Sequence, residues 1–511
     1  MAATERLSRL AVVDLGSNSF RLVVFAWDGN GWRRMDEVYE AVRVGAGEEA
    51  SGALSEESIE RALATIGVFS HFAHGEGLAP EDQEFVATSA IREAANRDEF
   101  LERARDAAGV AIRVLSHEEE AHYGYLAAVN SSTLADGAVL DLGGGSMQLV
   151  RVVGRHEAGM DSWRLGAVRM TERFLADDGP ASRKALDKLR SHVADKLARA
   201  EWLGQTSRLV AIGGTARTLA TAAQRAAELP SYGVQGFVLE ADALDDLIEQ
   251  LAALPADERA SVSGIKPARA DIVLAGAVVI RGVMEAAGVD GVEVTEAGLR
   301  EGVFFETYLG PADPPLFDDV RLASVTNLAA RFPVDAKHIE HVGRLALGLF
   351  DQLAEAGLHD GDPIERELLW AACMLHDIGV AVDYDDHHHH SRYLILNAGL
   401  PGFSPREVGL IAQIARYHRK GMPAFGELSG LMGKGDGQRL DRCATLLRLA
   451  EDLERSRDQL VRDARTETDD GAVRLHLVAN GDDVRVPRWA ATREEELFER
   501  AFDRRLEIAA E

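Results

Sequence analysis

Two aspartates, Asp14 and Asp141, each close an apolar run and are each followed by a turn of small residues. The first stands in Leu10-Ala-Val-Val-Asp-Leu-Gly-Ser-Asn-Ser-Phe-Arg-Leu-Val-Val-Phe25, the second in Ala138-Val-Leu-Asp-Leu-Gly-Gly-Gly-Ser-Met-Gln-Leu-Val150. Both read as strand, tight turn, strand. Glycines in succession leave backbone N–H groups free with no Cβ in the way, so phosphate oxygens can approach closely. A carboxylate at the strand end can hold a divalent cation beside them. Taken singly, three glycines in a row equally describe a plain hairpin. Recurrence shifts the reading toward phosphate. A third apolar run, Arg208-Leu-Val-Ala-Ile212, empties into Gly213-Gly214-Thr215 and a helical pattern that includes Arg217. Two such hairpins and a Gly-Gly-Thr turn fit two related halves that face each other across a phosphate. In that arrangement Asp14 and Asp141 anchor Mg²⁺, directly or through water. Ser17, Asn18, Ser19, Gly143, Gly144, Gly145 and Gly214 supply hydrogen bonds or clearance, with Arg21, Ser146 and Thr215 as further phosphate contacts.

Such residues must be positioned by a large scaffold. With 511 residues the chain exceeds one hydrophobic core and is expected to divide into about three or four domains. A hydrophobic fraction of 46% beside 27% charged residues is that of a globular protein, which sets disorder aside. Met1-Ala-Ala-Thr-Glu-Arg6 has no apolar leader core, and no stretch approaches a spanning segment, so a soluble cytoplasmic protein without membrane contact is expected. The two cysteines, Cys373 and Cys443, fall in helical patterns and suit buried free thiols. A net charge of −28 repels polyanions at long range and argues against general nucleic-acid binding. An anionic substrate must therefore be captured by a local cluster of arginines and a metal.

Along the chain, residues 8–40 read as three antiparallel strands with the turn Asp28-Gly29-Asn30-Gly31, and 55–74 as a helix opened by Ser55. A strand at 84–89, helices near 97–108 and 117–130, and a strand at 110–115 follow. Strand and helix alternate, which indicates an α/β sheet. The pattern restarts at 136–153, with helices near 181–203, 214–227, 240–253 and 268–287 and a short strand at 291–295. Tyr308-Leu-Gly-Pro-Ala-Asp-Pro-Pro315 marks a linker. Beyond about 320, helices are expected at 337–357, 363–376, 404–418 and 441–462, then a small hairpin at 472–486 and a helix at 492–510. The domains expected are 1–130, 131–310 and 320–511.

Six blocks in order resemble the exopolyphosphatase/guanosine pentaphosphate phosphohydrolase (Ppx/GppA) family. They are Asp14–Arg21, Ala87-Thr-Ser-Ala-Ile-Arg92, Glu118-Glu-Glu-Ala121, Asp141–Ser146, Leu165–Arg173 and Gly298-Leu-Arg-Glu-Gly302. The resemblance implies two ribonuclease-H-like lobes of the actin and sugar-kinase superfamily, with the active site in the cleft between them. It implies Mg²⁺-dependent hydrolysis of terminal phosphate from inorganic polyphosphate, or of the γ-phosphate of guanosine pentaphosphate. Glu120 aligns with the family's catalytic Glu, expected to orient or deprotonate the attacking water; the dipole of an N-terminal helix turn accounts better for Glu118 and Glu119. Arg92, just past a strand end, suits capture of a phosphate.

One position departs from the family pattern. Where the family often has Ser-Thr-Glu after its glycines, this chain has Ser146-Met147-Gln148. Gln148 can position a water but cannot take its proton. Glu120 then acts alone, turnover slows, or the chain is a non-hydrolytic sensor of polyphosphate or alarmone. In the C-terminal part, His341, His376-Asp377, His387-His-His-His390, His418 and the acids Glu451 and Asp452 resemble an HD-type metal-hydrolase fold, in which His341, His376, Asp377 and His418 form a second metal site. The histidine run reads as a solvated loop or as a phosphate contact near Tyr417-His418-Arg419-Lys420. In the family this domain is mostly a degenerate HD unit that lengthens the polyphosphate channel, toward Arg416, Arg419 and Lys420 here, and supports a homodimer; Glu451 stands where the closing Asp of the HD pattern is usual.

Overall fold

The structure is a computed structural model that describes residues 7–46, 52–175, 179–480 and 483–509. The chain forms two compact units, Met1–Val320 and Arg321–Glu511. No helix among the described residues is long and apolar enough to cross a membrane.

The first unit carries two sheets of one topology. In the first, β1 (Ser8–Leu15), β2 (Phe20–Trp27) and β3 (Trp32–Glu40) run antiparallel, and β4 (Gln83–Ala87) and β5 (Ile112–Val114) add in parallel on the far side of β1. The order is β3-β2-β1-β4-β5. The second sheet repeats it: β6 (Gly137–Leu142), β7 (Met147–Val153) and β8 (His156–Trp163) are antiparallel, with β9 (Leu209–Ile212) and β11 (Gly291–Val294) parallel to β6. An extra edge strand, β10 (Phe237–Glu240), completes it. This is a duplicated ribonuclease-H-like fold. Equivalent positions follow from register: Asp14 pairs across its hairpin with Arg21, and Asp141 with Gln148.

The central strands are buried on both faces because their sequences are apolar without alternation, as in Ala11-Val12-Val13 and Val139-Leu140. Helices Glu56–Gly75 and Arg97–Ala108 cover one face of the first sheet with Ile59, Ile66, Phe69 and Phe100. Helices Arg183–Leu197, Ala241–Ala252 and Val273–Ala287 cover the second sheet. Between the sheets lie helices His117–Val129 and Leu299–Tyr308, whose Tyr125, Leu126 and Phe304 share one core with Val12 and Phe25 of one sheet and Val139 and Ile212 of the other. The Phe25 and Phe304 rings stack with centroids 4.3 Å apart. A Cβ on Gly302 would stand 2.0 Å from the Tyr123 carbonyl oxygen, so the two helices cross at backbone contact. That crossing sets the lobes, and with them the facing hairpins.

The second unit is mostly helical, with helices Val320–Ala330, Ala336–Glu355, Pro363–Leu375, His387–Ala398, Pro405–Arg416 and Asp436–Leu453. Three expectations need correction here. The helix expected to reach residue 462 ends at Leu453, and β12 (Val461–Thr468), β13 (Ala472–Ala479) and β14 (Arg505–Ile508) form a small sheet. β12 is hidden in the sequence because Val-Arg-Asp-Ala-Arg-Thr-Glu-Thr is largely charged. The helix expected at 492–510 stops at Phe502, where Asp503 takes φ 52° and turns the chain into β14. The histidine run is no loop: it is the first turn of His387–Ala398, and His387 and His388 are buried.

Candidate active site

Each hairpin turn projects from the end of a buried central strand. In the first lobe Ser17 and Asn18 are buried, and Ser17 Oγ lies 2.9 Å from Ser89 Oγ on the short helix Ser89–Glu93. In the second lobe the amides of Gly166, Ala167 and Val168, at the start of helix Ala167–Phe174, donate to the carbonyls of Gly145, Gly143 and Gly144. Those carbonyls are thereby turned toward the helix rather than toward an anion. The hairpins meet across the cleft: a Cβ on Gly144 would lie 3.1 Å from Ser17 Cβ, and one on Gly145 only 2.5 Å from Ser89 Oγ. The third turn needs glycine for another reason, since Gly213 has φ +97° and a Cβ on Gly214 would overlap the Arg269 guanidinium at 2.2 Å.

Between the turns lies a cavity of about 120 Å³. Its wall includes the three carboxylates Asp14, Glu120 and Asp141 and the four guanidinium groups of Arg21, Arg217, Arg269 and Arg300. Asp14 Oδ2 accepts from Arg300 Nη1 at 2.9 Å. Glu120 Oε2 accepts from Arg92 Nη1 at 2.7 Å, and Arg92 Nη1 also donates to the Leu115 carbonyl at 2.8 Å. Burial pushes all three acids up. Asp141 reaches about 7, helped by the negative charges of Glu120 and Asp14. Asp14 rises against the pull of Arg300 and Arg21, and Glu120 against that of Arg92. Burial, Arg300 and Arg21 together press Arg217 down to about 10. The carboxylates and the arginines are thus each uneasy in their own company. A cation beside the first set and an anion beside the second would relieve both.

The sequence-based candidates separate here. Asp14, Ser17, Asn18, Ser19, Arg21, Glu120, Asp141, Gly143, Gly144 and Gly214 line the cavity together. Arg92, Gly145, Ser146, Gln148 and Thr215 stand outside its lining. Arg92 holds Glu120 instead, with Nη2 against His117 Nδ1 at 3.0 Å. Gly145 makes room for Ser89, and Gly276 is needed where Thr215 packs, a Cβ there lying 2.4 Å from Thr215 Cγ2. Gln148 is 1% exposed and donates from Nε2 to Ser146 Oγ at 3.0 Å, while its Oε1 has no partner among the described residues. Thr88, Ser89, Arg269 and Arg300 also line the cavity, and the sequence motifs assign them no role. Arg300 lies within the block Gly298–Gly302, and Arg217, noted only as part of a helix, reaches the cavity from the turn after Gly213-Gly214. Arg269 sits in a connecting segment with no pattern around it.

In the second unit, His376, Asp377 and His418 come together, and His341 does not join them. His341 Nε2 lies 2.9 Å from the Val461 carbonyl, and Arg344 takes its Nδ1 at 2.8 Å. His338, one turn earlier on the same helix, occupies the place expected of His341.

Fold and cavity define a two-lobed protein of the ribonuclease-H-like class in which opposed charges surround the space between glycine turns. Two family profiles match the chain: the Ppx/GppA phosphatase family over residues 23–310, and Ppx/GppA phosphatase, domain III, over residues 320–484. The chain belongs to the Ppx/GppA phosphatase family. A family member from Aquifex aeolicus is similar in structure, with 27% identity and a TM-score of 0.52, covering 60% of this chain and 99% of that one. An exopolyphosphatase-like protein matches at 28% identity and TM-score 0.53, covering 58% and 96%. An exopolyphosphatase from Cytophaga hutchinsonii shares the fold at 23% identity and TM-score 0.55, covering 59% and 98%.

Proposed function

We propose that this chain is an exopolyphosphatase that removes terminal phosphate from inorganic polyphosphate with Mg²⁺. The observation that carries the reading is the opposition of Asp14, Glu120 and Asp141 to Arg21, Arg217, Arg269 and Arg300 around one cavity. The carboxylates form an all-oxygen donor set, which suits a hard cation such as Mg²⁺, with Asp14 and Asp141 as its anchors. When bound, the ion offsets charge on the transferred phosphoryl group. Arg217 and Arg300 hold the phosphoryl oxygens, and the turns at Ser17–Ser19 and Gly143–Gly144 enclose them. Glu120, fixed by Arg92, orients a water and accepts its proton as the water oxygen bonds to phosphorus. The bridging P–O bond breaks, and the shortened chain leaves as a phosphate anion.

A neighbouring cavity of about 500 Å³ shares Arg21, Gly214, Arg217 and Arg269 with the first and adds Arg34 and Lys266; Glu37, paired with Arg21 and Arg34, and Glu296 also line it, so the five cations outnumber the acids. Among the described residues Tyr39 is the one aromatic in its lining, and Arg21 already lies over that ring, 5.1 Å from its centroid. A basic passage whose aromatic face is taken by a guanidinium favours a continuing polyanion over a purine. Guanosine pentaphosphate would use the same cleft, with its base in this passage. Gln148 supports a third reading, a sensor that binds polyphosphate or alarmone without turnover. Phosphate release from long-chain polyphosphate and from guanosine pentaphosphate, each with Mg²⁺, tests the choice. Faster turnover of polyphosphate is expected. Failure on both substrates, with tight binding retained, would overturn the hydrolase reading.

A further inference from the structure

The second unit gathers six ligand-type side chains, five of them buried and Glu451 partly so, from five helical segments. His338 comes from Ala336–Glu355, His376 and Asp377 from the end of Pro363–Leu375, His387 from the first turn of His387–Ala398, His418 from just beyond Pro405–Arg416, and Glu451 from Asp436–Leu453. None of the first five exceeds 4% exposure. The ring orientations are set from behind. His376 Nδ1 lies 2.7 Å from the Cys373 carbonyl, His418 Nδ1 2.7 Å from the Ala415 carbonyl, and His387 Nδ1 2.8 Å from the Tyr384 carbonyl, with Arg419 Nη1 at 3.2 Å from that last nitrogen. A carbonyl can only accept, so Nδ1 of His376 and of His418 carries the proton and Nε2 presents a lone pair inward; at His387 the Tyr384 carbonyl is nearer to Nδ1 than the Arg419 donor and sets the same tautomer. Backbone partners behind imidazoles are the usual supports of metal-ligating histidines.

The inward atoms then lack partners of their own. His387 Nε2 and His418 Nε2 stand 3.0 Å apart, two lone pairs face to face. His376 Nε2 and Asp377 Oδ1 are buried without a hydrogen-bond partner among the described residues. Donors held about 2.0–2.2 Å from one ion at angles of 90–110° are themselves separated by about 2.8–3.6 Å. Around Glu451 Oε2, His338 Nε2 lies at 3.0 Å and His376 Nε2 at 3.4 Å. Around Asp377 Oδ1, His387 Nε2 lies at 3.3 Å, His376 Nε2 at 3.7 Å and His418 Nε2 at 3.9 Å. The ligand atoms fall into two groups, His338-His376-Asp377 and Asp377-His387-His418, with Asp377 common to both. Arg457 Nη2 holds Asp377 Oδ2 at 2.7 Å, which leaves Oδ1 for the shared role.

We propose that the second unit holds a pair of divalent first-row transition ions bridged by Asp377. One ion is ligated by His338, His376 and Glu451, the other by His387 and His418. Imidazole-rich donors select ions such as Fe²⁺ or Zn²⁺ over Mg²⁺, and the two carboxylates among them also admit Mn²⁺, so this centre differs in ion class from the carboxylate site of the first unit.

The test uses the full-length chain carrying Asp141→Asn, which removes the cation anchor of the first unit and keeps the two readings separable. Protein stripped with chelator is loaded with MnCl₂ and desalted; bound manganese is counted by mass spectrometry, and its electron paramagnetic resonance is recorded. About two ions per chain with a spin-coupled spectrum are expected. His418→Ala and His387→Ala should each retain about one ion with an uncoupled spectrum. His376→Ala should lose metal from the other position, while His341→Ala keeps both ions. Circular dichroism and melting of each variant establish that it is folded. Retention of no manganese, or of one ion with an uncoupled spectrum, would overturn the proposal and leave a cluster held together by protons. An unchanged count in a folded His376→Ala variant would overturn it equally.

Discussion

The charge state of Asp141 offers a test of the cleft that does not depend on turnover. Burial, with Glu120 and Asp14 nearby, raises this carboxyl from 3.8 to about 7. The sign follows from linkage. Below about pH 4 the group is neutral in the folded and unfolded chain and nothing is lost. As the pH rises through about 7, the unfolded chain has long since ionised while the folded chain resists. Stability therefore falls progressively across that window. Three units at about 1.4 kcal/mol each give an upper bound of about 4 kcal/mol. The carboxyl keeps part of its surface on the cavity, where water screens it, so about 2–4 kcal/mol is the range to expect. Asp141→Asn removes the penalty. With about 2.1 cal/mol/K of unfolding entropy per residue, the unit of 320 residues should melt about 3–6 °C higher than wild type at pH 8 in chelator. The gain should fade toward pH 4. Added Mg²⁺ should raise the melting point of wild type and not of the variant. Calorimetry in chelator from pH 4 to 8 reads all three. A variant less stable than wild type at pH 8, or a difference that does not change with pH, would refute the electrostatic account.

Gln148→Glu places an acid directly across the hairpin from Asp141. It should tighten Mg²⁺ binding and raise the rate of polyphosphate hydrolysis, read as Mg²⁺ activation curves. Arg269→Ala removes one of the guanidiniums shared by the two cavities. It should raise KM for polyphosphate about tenfold or more, with a smaller effect on kcat and a shallower dependence of KM on salt. Gly302→Ala drives a Cβ to 2.0 Å from the Tyr123 carbonyl and should cost about 1–3 kcal/mol in urea unfolding. Gly67→Ala, in a helix and with open space around its Cβ, should instead stabilise by about 0.5–1 kcal/mol.

Much of this molecule is legible locally, and what is not has physical reasons. Strands β1, β2, β6 and β7 announce themselves because apolar runs and small-residue turns are short-range features. The helix Arg97–Ala108 was likewise expected over the residues where it is found. β8 and β12 are not legible because their exposed faces carry charged and small residues that suppress alternation. In the cleft, residues next to glycine turns were found from the turns themselves. Arg269 reaches its place through packing between distant segments, which leaves no local trace. Arg92 illustrates another limit: its proximity to a strand end suggests phosphate, but the fold brings Glu120 within 2.7 Å and gives the guanidinium a carboxylate first. His338 and His341 share a helix face one turn apart, so spacing cannot choose between them; the neighbouring Val461 carbonyl and Glu451 carboxylate do.

Mg²⁺-dependent phosphate release from long-chain polyphosphate by Glu120→Ala, beside wild type and His376→Ala in one preparation, bears most directly on the proposed chemistry. Loss of a water-orienting base should lower kcat by at least about 10²-fold while polyphosphate still binds, and His376→Ala should keep its rate. Unchanged turnover in folded Glu120→Ala, with activity lost in His376→Ala, would move hydrolysis out of the cleft between the two lobes.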